Sequence, residues 1–217
     1  MAVEPVTRER FITLEGGEGA GKSTQARRLA SKLEEKGHSV VVTREPGGSP
    51  GAEIIRKLIV SGDAGRWTPK AEALLVSAAR EDHLMRTIRP ALDRGAWVVC
   101  DRFIDSTRAY QGAAQGLNRQ LIDTLGEMVI GEDMPGLTLM LDLPVEAGLA
   151  RAGKRAGEGA AEDRYEKMET QFHQTLRQAF LDIAAAEPGR CAVVDAARNE
   201  DEVAASIWAE VGTRLAI

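Results

Sequence analysis

The chain is poor in cysteine and histidine, lacks any long apolar run and has no excess of basic residues. Only two cysteines, Cys100 and Cys191, occur in 217 residues. Each lies in a strand-like run without metal-ligand spacing, which supports neither a disulfide framework nor a thiolate metal site and reads as two buried thiols in a reducing, cytoplasmic setting. The three histidines, His38, His83 and His173, show no metal spacing and read as structural. No apolar stretch approaches the roughly 18 residues of a membrane span. The opening MAVEPVTRER lacks the apolar core of a signal peptide. A net charge of −5 argues against a nucleic-acid polymer as partner. No internal repeat is visible. What is present, 43% hydrophobic and 28% charged residues, describes an ordinary globule. Its length suits one domain over residues 1–217, able to bury roughly 70% of the unfolded chain's surface.

The stretch FITLEGGEGAGKST, residues 11–24, organises the rest. Gly16, Gly21, Lys22 and Ser23 fit the pattern G-x-x-x-x-G-K-[ST], in which backbone N–H groups of a glycine-rich turn converge on an anion. Gly16, Gly17, Glu18, Gly19, Ala20, Gly21, Lys22, Ser23 and Thr24 form the loop. Lys22 is expected to reach the β- and γ-phosphates of a nucleotide and the Ser23 hydroxyl to bind Mg²⁺, with the helix N-terminus adding positive potential. A strand-like run, Phe11 to Leu14, precedes the loop, and an amphipathic stretch follows it to about Lys36, before Gly37.

Residues 1–9 read as a loose tail. Four further strands are expected: Ser39 to Thr43, Trp97 to Cys100, Leu137 to Leu143 and Cys191 to Val194. The second is continuously apolar, as in a parallel sheet covered on both faces. Helices are expected from Pro50 or Gly51 to Val60, from Thr68-Pro69 as cap and first position toward Arg94 with Pro90 kinking or ending it, and over Asp105 to Ala113. Others are expected from Asn118 to Ile130, from Pro144 to about Ala152, from Arg164 to Ala186 and from Glu200 to Leu215. The long third helix is given an apolar stripe of Ala71, Leu74, Leu75 and Ala78. Strand–helix alternation predicts an α/β fold with a five-stranded parallel sheet flanked by helices, its ligands gathered at the strands' C-terminal ends.

The polar clusters fall at those ends. Arg44-Glu45-Pro46-Gly47-Gly48, with Arg56 beyond, suits an anionic ligand or a solvated turn. Arg80 shares a helix face with Val76, and its planar fork can pair with a base edge or phosphate. Asp101 can hold a water of the Mg²⁺ shell, and Arg102 can clamp a phosphate; Thr107, Tyr110 and Gln111 follow. Arg151, Lys154, Arg155 and Arg164 flank a glycine-rich stretch that reads as a mobile lid over about residues 151–164.

GGEGAGKST, TREPGG, LLVSAAR, VVCDRFIDSTRAYQG, LTLMLDL and DRYE, in this order, make nearly the whole chain resemble thymidylate kinase of the bacterial type. The resemblance implies a P-loop NTPase fold of the nucleoside monophosphate kinase kind and transfer of the γ-phosphoryl group of ATP, with Mg²⁺, to dTMP, giving dTDP for dTTP synthesis. It implies that Glu18 meets the deoxyribose 3′-hydroxyl and that Arg44, Arg56 and Arg102 face the dTMP phosphate or its surroundings. Arg80, Thr107 and Gln111 would read the thymine edge, and Tyr110 would crowd the 2′ position. Lys22, Arg102 and a lid arginine, Arg151 or Arg155, would be catalytic, with Ser23 and Asp101 at the metal. The loop itself carries no arginine, as in the bacterial type. Val76 stands where the family often has a phenylalanine on the thymine ring. A homodimer through the long helices is also implied. Two other readings share the loop: a phosphate-loop kinase with a different acceptor, and a nucleotide-dependent switch, against which the absence of an N-K-x-D guanine motif counts.

Overall fold

The computed structural model describes residues 8–63, 65–156, 164–165 and 168–217. Strand β1 (Phe11–Glu15) is buried along its whole length. It is the middle strand of a five-stranded sheet ordered β2-β3-β1-β4-β5, with β2 (Val40–Arg44), β3 (Trp97–Asp101), β4 (Leu137–Asp142) and β5 (Cys191–Asp195). All four pairings are parallel.

Because side chains alternate along a strand, the sheet divides the core in two. Ile12, Leu14, Val99, Leu139 and Leu141 pack with α1 (Lys22–Glu35) and α9 (Glu200–Leu215). Phe11, Val98 and Cys100 face the opposite way, onto the helices that follow β2 and β3. Those helices are α2 (Pro50–Val60), α3 (Pro69–His83), α4 (Arg89–Asp93), α5 (Ile104–Thr107) and α6 (Arg119–Ile130). Helices α7 (Val145–Ala156) and α8 (Thr170–Ala186) complete the layer beside β4 and β5. Both cysteines are buried and unpaired.

Several expectations need correction. Strand β2 is not covered on both faces: it is the sheet edge, and Val42 is 45% exposed. The long third helix is α3 joined to α4 through a wider π-helical stretch, Leu84–Ile88, which carries the chain into Pro90 without a break. The apolar stripe assigned to it is not its buried face: Leu74 (49%) and Ala78 are exposed, and Ala71 and Leu75 are only half-buried, Leu75 packing at the edge of the cluster of Ile59, Val60 and Val76. The buried face of α3 is Glu72, Ala73, Val76, Ser77, Ala79, Arg80 and His83. Polar residues sit on that face because Glu72, Arg80 and His83 each pair with a residue of another segment. The helix after β4 runs on to Ala156, so Arg151, Lys154 and Arg155 belong to it rather than to a loop. Helix α8 begins at Thr170 and not at Arg164, which lies before it and is buried. Of the expected tail, Arg8–Arg10 forms a single 3₁₀ turn and residues 1–7 lie outside the described residues, as does the lid stretch 157–163.

Candidate active site

Where β1 ends, the chain turns through the glycine-rich loop into α1. Gly21 precedes α1 with φ 86°, and Gly19 has φ 72°, both in the left-handed region open to glycine. A Cβ on Gly19 would run into the carbonyl of Gly148 in α7, and one on Gly148 would lie 2.5 Å from the carbonyl oxygen of Glu18. The loop is therefore braced backbone to backbone.

Lys22 folds back over the loop and donates to the Gly17 carbonyl at 2.7 Å. Burial, and then the charge of Arg102, bring its pKa down to about 8. Only the ammonium attracts phosphates, so, with the loop holding ATP as the resemblance implies, kcat/KM for ATP is expected to fall as pH rises above about 8, the free-enzyme limb. The kcat value should hold to higher pH, because bound phosphates favour the charged form. Kinetics from pH 6.5 to 9.5 test this, and a flat kcat/KM across that range would sink it.

Arg102 follows the end of β3 with φ 74°, left-handed for a residue that has a Cβ. It is held there by its contacts: its N–H donates to Leu14 O at 2.9 Å, and its guanidinium to Gly16 O at 3.0 Å, Ser106 Oγ at 3.1 Å and Glu18 Oε1 at 3.0 Å. The same Glu18 oxygen accepts from the Tyr110 hydroxyl at 2.6 Å. Burial works against the Glu18 charge, but Arg102, Lys22 and the Tyr110 hydrogen bond outweigh it and lower its pKa to about 2. Below them Glu15 accepts from Phe103 N, Ser106 N and Ser106 Oγ, fixing the turn after β3. Burial, helped by the charge of Asp105, raises the Glu15 pKa to about 7.

Ser23 donates to the Asp101 carboxylate, bringing together the two oxygen donors expected at Mg²⁺. Among the described residues no group of three or more metal-binding side chains of the His, Cys, Asp or Glu kind occurs. Two oxygen donors suit an ion that keeps most of its waters.

Beside Glu18 and Arg102 opens a cavity of about 130 Å³. Arg80, Thr107, Tyr110, Gln111, Val76 and Arg56 all line it, so the structure collects most of the acceptor-site candidates around one space. Arg80 is 2% exposed. Its Nε donates to Glu45 Oε2 at 2.8 Å and its Nη2 to Thr107 Oγ1 at 3.0 Å, and its guanidinium lies 5.0 Å from the centre of the Phe103 ring. Glu45 is in turn within 3.1 Å of His83 Nδ1, and His83 Nε2 within 2.7 Å of Thr43 Oγ1. Arg56 donates to Pro46 O at 2.7 Å. Gln111 Nε2 donates to Glu72 Oε1 at 2.6 Å.

Two candidates fall elsewhere. Arg44 does not line this cavity: it pairs with Glu53 at 3.2 Å and borders an open groove of about 410 Å³ with Ser23, Arg27 and Asp101. Arg151 lies on the far flank of the loop, donating to Ala196 O at 3.1 Å, beside a groove of about 360 Å³ lined by Gly19, Gly21, Thr24 and Asn199. The side chain of Arg155 lies outside what is described. Sequence reasoning gave no role to Tyr165 in the lining and saw Glu45 only as part of a charged turn; it missed Glu72 and His83, which stand behind the lining and hold Gln111 and Glu45. A signal for Glu72 was present: it precedes Val76 and Arg80 by one and two helical turns on the same face.

The family model described as thymidylate kinase matches residues 14–207. Thymidylate kinase of Caulobacter vibrioides is 55% identical over 98% of this chain and 100% of its own length. That of Bradyrhizobium sp. strain ORS 278 is 52% identical over 96% of this chain and 92% of its own. The crystal structure of thymidylate kinase from Ehrlichia chaffeensis superposes with a TM-score of 0.74 at 34% identity, over 93% of this chain and 97% of that one.

Proposed function

This chain belongs to the thymidylate kinase family, and we propose that it moves the γ-phosphoryl group of ATP onto dTMP between the phosphate loop as donor site and the cavity beside Glu18 as acceptor site. It is a nucleoside monophosphate kinase serving nucleotide synthesis. The observation that carries the assignment of sites is Arg102. One guanidinium bonds the first glycine of the phosphate loop and the carboxylate at the cavity's mouth, so it spans the line along which a phosphoryl group would pass.

The acceptor oxygen of a nucleoside monophosphate is already ionised at neutral pH, so a strong general base is not required. The task is to align two polyanions and offset their repulsion. Lys22 and the loop N–H groups hold the donor phosphates, and Arg102 and Arg56 supply positive charge on the acceptor side. Ser23 and Asp101 would hold Mg²⁺, whose charge neutralises phosphate oxygens. Arg80 and Thr107 present fixed polar groups to the base. Glu18, ionised and flanked by the Tyr110 hydroxyl, presents an acceptor for a sugar hydroxyl. Phe103, Tyr110 and Tyr165 border the cavity, which supports ring cover from other directions where Val76 offers none. Arg151, beside the second groove, fits a role toward the ATP base end better than one at the transferring group.

A coupled ADP-release assay with MgATP and dTMP, dUMP, dCMP, dGMP, UMP or thymidine tests this reading. The expected result is strong preference for dTMP, weaker use of dUMP and none of thymidine. Preference for another monophosphate would overturn the base-reading roles of Arg80, Thr107 and Gln111.

We also propose a homodimer. Ile54, Leu58, Leu74, Met85 and Met128, on α2, on α3 and the π-helical stretch after it, and on α6, are exposed at 38–74%, the residues such a contact would cover. Sedimentation at the mass of one chain would refute it. No helix among the described residues is long and apolar enough to cross a membrane, and buried unpaired Cys100 and Cys191 support a reducing, cytoplasmic setting.

A further inference from the structure

Glu72 is fully buried on α3, and among the described residues the polar side chains in contact with its carboxylate are all donors. Its Oε1 accepts from Gln111 Nε2 at 2.6 Å, Gln115 Nε2 at 2.8 Å and the Tyr165 hydroxyl at 2.8 Å. Its Oε2 lies 2.5 Å from Arg164 Nη1. A side-chain amide can ordinarily be turned end for end, so that either its oxygen or its nitrogen faces a ligand. Gln111 has no such freedom, because a carboxylate paired with an arginine has no hydrogen to give. The NH₂ must face Glu72, and the carbonyl oxygen is the end left for the cavity that Gln111 lines.

We infer that Glu72 is a specificity-determining positioning residue: by fixing the Gln111 amide as an acceptor, it makes the cavity select a 4-keto pyrimidine over a 4-amino one. The inference rests on the cavity being the dTMP site. Thymine carries a donor at N3–H and an acceptor at O4. Cytosine carries the reverse, an acceptor at N3 and a donor at N4. Arg80 can only donate, and Glu45 and Thr107 hold it in place. Of the three groups assigned to the base edge, Arg80 cannot accept and the Thr107 hydroxyl already accepts from Arg80, so the amide is the one that could turn end for end to suit cytosine, and Glu72 removes that option. A buried polar mismatch of this kind discriminates far better than shape, because the site's own groups are left unpaired.

The test compares kcat/KM for dTMP and dCMP in wild type, Glu72→Gln, Glu72→Asp and Gln115→Leu. Glu72→Gln can offer Gln111 an NH₂, which lets the amide turn over. Glu72→Asp keeps the charge opposite Arg164 but withdraws the oxygen. Both are expected to cut the dTMP-to-dCMP ratio at least about tenfold, chiefly through KM, and Glu72→Gln should raise dCMP use in absolute terms, which mere loss of packing would not do. Gln115→Leu removes a different donor from the same oxygen and should leave the ratio within about twofold. A ratio unchanged in a folded Glu72 variant overturns the inference. So does side-chain NMR of wild type in which the Gln111 NH₂ hydrogens, assigned by their loss in Gln111→Ala, exchange freely with solvent before dTMP is added. A wild type that does not prefer dTMP over dCMP instead refutes the acceptor-site reading itself.

Discussion

Replacing Arg102 by alanine is expected to lower kcat by about three powers of ten or more, the range found where an arginine stabilises a transferring phosphoryl group. The side chain is not one contact among many. It joins Gly16 of the loop to Glu18 at the cavity and to Ser106 on α5, and its ring contact with Tyr110, at 5.0 Å, fixes the plane of the fork. Lysine offers charge without that fork, so Arg102→Lys is expected to recover little. The backbone adds a second argument. A left-handed φ costs a non-glycine residue roughly 1–2 kcal/mol, and such a cost persists where surrounding structure and function demand the side chain. Single-turnover measurements with dTMP in excess would separate loss of transfer from loss of binding. Near-normal turnover in Arg102→Ala would remove Arg102 from the mechanism.

The largest effect on stability is expected at Arg164, not at any residue of the phosphate loop. Arg164 is 1% exposed, reaches Ile59 O at 3.0 Å and Asp63 O at 3.1 Å, and pairs with fully buried Glu72. Ile59 is in the last turn of α2, whose carbonyls have no intrahelical partner. Arg164→Ala takes away a donor to that carbonyl and strips a buried carboxylate of its counter-ion, a loss of about 3–5 kcal/mol. Arg44→Ala is the internal contrast. Its pair with Glu53 is solvent-exposed on both sides, and its removal should cost less than about 1 kcal/mol. Urea unfolding midpoints of the two variants decide the matter: equal shifts would mean that the Arg164–Glu72 pair is not the clasp described.

The sequence made these two arginines look alike, both in basic clusters near glycine. Composition and spacing report which residues lie close along the chain, whereas burial of Arg164 depends on α2 and α3 arriving from a hundred residues away. The same limit explains α3. Helical periodicity located the element and its cap at Thr68, but an apolar stripe was taken for the inward face. The inward face is polar because Glu72, Arg80 and His83 each find a partner on another segment. Short-range signals were legible: the phosphate loop, the succession of strand-like hydrophobic runs along the chain, and the closing helix from Glu200 to Leu215. The gathering of Thr107, Tyr110 and Gln111 was legible too, although the chain achieves it through a π-helical turn, Arg108–Ala114, that no residue pattern announced. Glu45 was visible as part of a charged turn, but its bond to Arg80 was not.

The backbone contact between Gly19 and Gly148 bears on how this sequence can change over evolutionary time. A methyl group at either position meets the main chain of the other segment, not a side chain that could swing aside. Drift at one site is therefore closed until the other segment has moved, and the segment that would move is the phosphate loop itself. Two glycines more than a hundred residues apart are bound to one another as an inherited pair, and a descendant carrying alanine at one of them would have to have rebuilt the seat of α7 first.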